Sequence, residues 1–183
     1  TKLATEIQLL REYKKMDEAY ALLGKAVKAY PDDTTFAYDQ AMVAEKLGRI
    51  DEMERLLRQL ISKAPDYHHA YNALGYSLAD RNVRLPEARQ LIQKALEFAP
   101  ADPFIVDSLA WVEYRSGNLP EAQRLLEQAY ASRQDAEIAA HLGEVLWVSG
   151  QREAAAKVCR QGLEQQKDNE TLLETLKRIQ PAL

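Results

Sequence analysis

Apolar side chains recur along this chain at helical rather than strand spacing. Between Tyr67 and Asp80 the stripe Tyr71, Leu74, Leu78 follows the i, i+3, i+7 rule of an amphipathic helix. Between Leu85 and Phe98 the residues Ala88, Leu91, Ile92, Ala95 and Leu96 repeat it, with Pro86 accommodated in the first helical turn, where no backbone N–H is needed. Pro100 ends the run, because proline cannot continue a helix and restricts the residue before it. Asp102-Pro103 opens the next helix as an N-cap followed by proline at the first position.

This helix pair is one of a series. Pro31, Pro65 and Pro100 are spaced by 34 and 35 residues, and Gly48, Gly117 and Gly150 by 69 and 33. Ala88, Ala122 and Ala155 keep spacings of 34 and 33, and the pairs Leu74-Gly75, Leu109-Ala110 and Leu142-Gly143 recur at 35 and 33. Four markers share one period, the signature of stacked repeats. The small residues have a packing reason: two helices approach closely only where one contributes Gly or Ala. Gly75 is therefore read as lying against Ala88 and Ala95 of its own repeat.

The pattern resembles the tetratricopeptide repeat (TPR), whose signature runs W-x2-L-G-x2-Y, A-x3-F and A-x4-P. Here it stands as Tyr71-x2-Leu74-Gly75-x2-Leu78, Ala88-x3-Ile92 and Ala95-x4-Pro100. The following copy has Leu109-Ala110, Ala122-x3-Leu126 and Ala129, with Gln134 in place of proline. The last has Leu142-Gly143-x2-Leu146, Ala155-x3-Cys159 and Gly162. Two earlier copies keep the second-helix part, as Met53-x3-Leu57-x2-Leu60-x4-Pro65 and Ala19-x3-Leu23-x2-Ala26-x4-Pro31. The resemblance implies an all-α fold, a right-handed α-solenoid of about five helix-turn-helix units, at about 1–33, 34–67, 68–102, 103–135 and 136–168. A final helix at about 169–180, with Leu172, Leu173, Leu176 and Ile179, is read as the cap that solenoids need, and residues 1–183 as a single domain.

A finer resemblance lies between the markers. The strings AYNALGYSLAD, DPFIVDSLAWVEYRSGNLPEA and EIAAHLGEVLWVSGQ are similar to a group of proteobacterial TPR lipoproteins that act as periplasmic adaptors at the outer membrane. One of these activates a carboxyl-terminal processing protease and presents substrates to it. The resemblance implies a periplasmic protein whose parent is lipid-anchored to the outer membrane; a cytoplasmic location stays open. The chain begins at Thr1 rather than Met and is read as a piece of a longer protein.

Composition narrows the function by exclusion. With 24 Lys+Arg against 28 Asp+Glu, the net charge of −4 leaves no basic footprint for nucleic acid. No apolar run approaches the ~18–20 residues that span a bilayer. The single Cys159 rules out an intramolecular disulfide framework and is read as an inert core thiol. His68, His69 and His141 lack the i, i+4 spacing of a metal-binding helix, so no metal and no cofactor is expected. The carboxylate pairs Asp17-Glu18 and Asp51-Glu52 fall where second helices begin and complement the helix dipole. No serine sits in G-x-S-x-G and there is no phosphate loop, so the chain is read as non-catalytic.

In a TPR solenoid the first helix of each repeat lines the concave groove. In the fourth repeat Val106, Leu109 and Ala110 set the packing face, and Asp107, Trp111 and Tyr114 follow another stripe, read as turned away from the core. Equivalent positions are Tyr38, Met42 and Glu45; His69, Asn72, Tyr76 and Asp80; Phe104 and Arg115; and Glu144, Trp147 and Val148. These residues are the expected partner groove, with aromatic anchors at its centre. The basic clamp of chaperone-binding repeats is missing, since Tyr38, Met42, Asp39 and Ala73 stand at its positions. The reading is a scaffold or adaptor holding a protein or peptide segment, with a processing protease and its substrates as candidate partners. The alternatives are a self-association or assembly module of an envelope or secretion complex, and a regulatory domain of a larger enzyme.

Overall fold

The computed structural model describes residues 1–181 and 183. Its described residues form eleven α-helices and no strand: α1 (Lys2–Glu12), α2 (Met16–Ala29), α3 (Thr34–Lys46), α4 (Ile50–Lys63), α5 (His68–Asp80), α6 (Leu85–Phe98), α7 (Pro103–Arg115), α8 (Leu119–Ser132), α9 (Ala136–Val148), α10 (Arg152–Gln165) and α11 (Glu170–Ile179). Ten of them make five helix-turn-helix pairs and α11 follows as the terminal helix, the architecture of a TPR solenoid.

The two kinds of helix start differently, and the sequence says why. The first helices α3, α7 and α9 and the terminal helix α11 open on a side-chain cap: Asp33 accepts from Phe36 N, Asp102 from Phe104 N, Asp135 from Ile138 N and Asn169 from Leu172 N. Each cap satisfies a backbone donor that the helix leaves unpaired. Second helices have no such cap; they carry Asp17 and Glu18, Asp51 and Glu52, Glu87, Glu121 or Glu153 in the first turn instead. The paired carboxylates thus lie at the positive end of the helix dipole. Each tight turn inside a pair needs one residue in the left-handed region. Gly117 (φ 87°) and Gly150 (φ 85°) take it without steric cost, and Asn82 (φ 57°) serves between α5 and α6.

The helices pack as two compact units, residues 1–74 and 75–183. In the N-terminal unit α2 packs against α1 and α3, and α3 against α4. Ile7, Ala19, Leu23, Ala26, Phe36 and Val43 form its core. In the C-terminal unit α9 is the hub, touching α7, α8, α10 and α11. Ala136, Ala140, Cys159 and Leu172 are buried around it. Cys159 is enclosed, and desolvation pushes its thiol up to about 11.

The small positions carry close helix contacts. A Cβ at Gly75 would lie 2.6 Å from Ile92 Cγ1 and 3.0 Å from the Ala88 carbonyl oxygen. Gly75 thus meets the α6 backbone at Ala88, as expected, with Ile92 as its nearest neighbour. A Cβ at Gly143 would meet Cys159 Sγ at 2.7 Å, and Gly162 faces Leu172 and Ala139. The terminal helix also corrects the sequence reading. Leu172 and Thr175 are its buried residues and Leu173 is exposed, because α11 covers the preceding repeat along a narrower face.

These contacts set opposite expectations for two glycines. Gly75→Leu should lower the unfolding free energy by ~1–3 kcal/mol or more, since the first added carbon already falls inside contact distance of Ile92 and the Ala88 carbonyl oxygen. Gly24 lies inside α2 with nothing within 4 Å of an added Cβ, so Gly24→Ala should raise stability by roughly 0.5–1 kcal/mol. Urea unfolding of both variants checks the signs; equal behaviour would contradict the contact assignment.

Candidate functional site

The C-terminal unit places polar side chains from first helices around one centre. His141 on α9 holds both oxygens of Asp107 on α7 through Nδ1, at 2.8 and 2.9 Å. Its Nε2 lies 3.0 Å from the Tyr76 hydroxyl on α5. Trp111 stacks on the imidazole with ring centroids 4.3 Å apart and donates from Nε1 to Asp80 Oδ1 at 3.1 Å. Arg115 reaches the Asp80 carbonyl oxygen at 2.8 Å and lies over the Trp111 ring. On the far side Arg178 of α11 donates to Glu144, and the Tyr114 hydroxyl bonds the same carboxylate.

Burial makes these contacts consequential. Asp107, His141 and Glu144 are only 5%, 2% and 6% exposed, so each charge depends on its partner. Burial alone disfavours the imidazolium; the charge and hydrogen bond of Asp107 outweigh it, with Glu137 and Asp80 adding to the pull, and His141 is held above the usual histidine range. Burial, then the bond to Glu144, likewise drives the Tyr114 phenol upward. With both Asp107 oxygens on Nδ1, that nitrogen carries a proton in either charge state, and Nε2 exchanges donor for acceptor against Tyr76. Asp107, His141 and Tyr76 thus form one hydrogen-bonded chain. Here the ring is enclosed, and its partners join α5, α7 and α9.

Above this floor lies a cleft of about 280 Å³, lined by Tyr76, Asp80, Trp111, Arg115, His141, Thr171, Glu174 and Arg178. Its lining is almost wholly polar and its mouth carries both signs of charge. The groove expected from sequence is redrawn accordingly. Trp111, read as an exposed anchor, is 2% exposed, and Asp107 and Glu144, read as groove residues, are buried. Leu109, read as core, is only half-buried. In a stack of helix pairs a first helix has neighbours beyond its own partner, so a stripe off the intra-pair face is covered by the adjoining first helices.

The remaining expected groove residues fall elsewhere. Phe104 is exposed beneath the Arg133 guanidinium, and half-buried Trp147 carries Arg152 4.4 Å above its ring. Tyr38, Met42, Glu45, His69 and Asn72 belong to the N-terminal unit, where Tyr38, Tyr67 and His69 make a separate ring cluster with centroids 5.4–6.0 Å apart. Burial pushes the Tyr38 phenol up to about 12. Sequence reasoning missed Thr171, Glu174 and Arg178, because α11 was read only as a cap. A usable signal existed: Asp107 and His141, Glu137 and Thr171, and Glu144 and Arg178 are complementary pairs 34 residues apart. Among the described residues no group of three or more His, Cys, Asp or Glu side chains is placed to hold a metal ion.

The redrawn site inverts one expectation. Trp111→Ala should destabilise by ~3–5 kcal/mol, as a buried aromatic does, and leave Asp80 without its donor. Leu109→Ala should cost about 1 kcal/mol. Chemical denaturation of both separates them, and a larger loss at Leu109 would refute the buried placement of Trp111.

Comparison with known proteins accords with this geometry. Two family models, each described as tetratricopeptide repeat, match residues 38–103 and 113–179. A TPR repeat-containing protein of Pseudomonas aeruginosa is 44% identical over 139 residues, which is 76% of this chain and 24% of the relative. The chain thus spans about a quarter of that relative's length. Among solved structures, a thermophilic TPR protein of Thermus thermophilus superposes with a TM-score of 0.83 at 22% identity, covering 98% of this chain and 96% of its own. The pilF protein of Pseudomonas aeruginosa gives 0.72 at 16% identity over 97% and 82%, and MamA of Desulfovibrio magneticus 0.67 at 15% over 92% and 95%. Among the described residues no helix is long and apolar enough to cross a membrane. On the repeat markers, the helix pairs and these matches together, the chain belongs to the tetratricopeptide repeat family.

Proposed function

We propose that this chain is a protein-binding scaffold whose C-terminal unit seats a segment of a partner protein in the cleft between α5, α7, α9 and α11. Tetratricopeptide repeat proteins in general mediate protein–protein interaction, which supplies the class of ligand. The observation that carries the reading is the cleft itself. Asp80, Arg115, Glu174 and Arg178 surround its mouth, and its floor of Trp111 and His141 is held by hydrogen bonds and stacking. A floor ordered before binding spares the partner much of the entropy cost of ordering the site. Mixed charge at the mouth orients an incoming segment and rejects wrongly charged ones.

The finer proposal is an envelope adaptor that presents substrates to a carboxyl-terminal processing protease, in the periplasm and on a parent anchored to the outer membrane by lipid. Its support is the resemblance of the inter-marker strings to proteobacterial TPR lipoproteins.

Capture from envelope extract, read by mass spectrometry, tests both levels. Glu174→Trp places a bulky ring at the cleft mouth from an exposed position, and Lys157→Trp on the exposed face of α10 is the control. The first should weaken capture of the same partner at least about tenfold, roughly 1.4 kcal/mol, with unchanged melting, and the second should not. Equal capture by both variants would move the binding surface away from this cleft. A captured set without a protease would remove the finer proposal alone.

A further inference from the structure

We propose that His141 is a proton-operated latch beneath the partner cleft: with the proton on, it clamps α7 to α9, and with the proton off the cleft loosens and partner capture weakens. The capture clause rests on the cleft reading above; the latch itself rests on geometry. His141, on α9, ties two other first helices to its own, α5 through Tyr76 and α7 through Asp107 and the stacked Trp111. The charged or titratable groups toward it are Tyr76 and Asp80 from α5, Asp107 and Arg115 from α7, Glu137 on its own helix, and Glu174 and Arg178 from α11.

Loss of the proton removes no hydrogen bond, because Nδ1–H still donates to Asp107 and Nε2 then accepts from Tyr76. It removes a charge. Asp107, 5% exposed, keeps a carboxylate that no longer faces a cation, and a buried charge without its counter-ion is costly. The floor of the cleft is the first place to register this cost. Trp111 lies on the imidazole and in turn holds Asp80 and carries Arg115 over its ring.

The sign of the pH dependence follows from linkage. A histidine held above its unfolded value contributes stability that is fully present below the unfolded value, about 6.5, and is lost as pH rises through the folded one. The latch is therefore closed in mild acid and opens on the alkaline side.

Amide hydrogen exchange tests this without a partner. Protection factors, which correct for the pH dependence of intrinsic exchange, are measured across the titration of the His141 ring, followed by NMR in the same samples. Protection on α7 and α9 should fall about tenfold, the scale of a weakened buried ion pair, with the midpoint of the ring titration, while α2 in the N-terminal unit stays level. In Trp147→Phe, where Trp111 is the sole tryptophan, its emission should rise at that same midpoint as the quenching imidazolium disappears. Asp107→Asn should lower the midpoint of the ring titration and remove the alkaline fall in protection, and His141→Gln should likewise leave no fall. If Asp107→Asn does not fold, the ring titration and exchange of the parent chain decide.

Flat protection across the ring titration, or a step that survives in His141→Gln, overturns the latch while leaving the cleft reading standing. Capture that ignores Glu174→Trp overturns the cleft reading while leaving the exchange step intact. With the exchange step present, capture several-fold weaker above the midpoint of the ring titration than below it supports the regulatory clause, and equal capture removes it.

Discussion

The fold depends on how closely two helices of a pair can approach. At Gly75 and Gly143 the separation is so short that a single added carbon would stand 2.6 Å from Ile92 and 2.7 Å from Cys159. Everything else in these pairs follows from that spacing. Ile92 and Cys159 fill equivalent places against these glycines, and at Gly75 the Ala88 carbonyl oxygen makes the second-helix backbone part of the packing surface. The same constraint recurs at Gly162, where the terminal helix brings Leu172 against α9 and α10. Tolerance to overpacking is low because interiors are already near crystal density.

Such spacing leaves each first helix of the C-terminal unit flanked by other first helices as well as by its own partner. The seam between them is where this chain departs from an all-apolar core. Asp107, His141, Glu144 and the Trp111 indole occupy it, and each buried polar group finds its complement on the helix beside it. A satisfied network of this kind specifies alignment more sharply than aliphatic contact, since an axial shift between helices would strand a charge. Stability, site geometry and proton sensitivity thus originate in one set of contacts.

The fold was legible to a high degree. Pro31, Pro65 and Pro100, the turn glycines and the Asp102 cap each report a local requirement of the backbone, and the ends read for α5, α6 and α11 lie within a residue or two of those observed. The candidate site was legible only in part. Tyr76, Arg115 and Asp80 were recognised at the cleft, and the stripe containing Asp107, Trp111 and Glu144 was found with the wrong exposure. Arg178 and Glu174 went unrecognised because periodicity on α11 speaks of its apolar face alone.

The sequence by itself determined the helix pairs, their period, their caps and the close approach at Gly75, because all of these are set by residues within about one repeat of each other. Only the tertiary structure decided that Trp111 is floor rather than anchor, that Leu109 is half exposed, and that His141 sits between a carboxylate and a phenol. The physical reason is that a helical stripe states which residues share a face and not what covers that face. In this unit the covering is done by helices a full repeat away, whose polar side chains carry no signal until they are brought to within 3 Å of their partners.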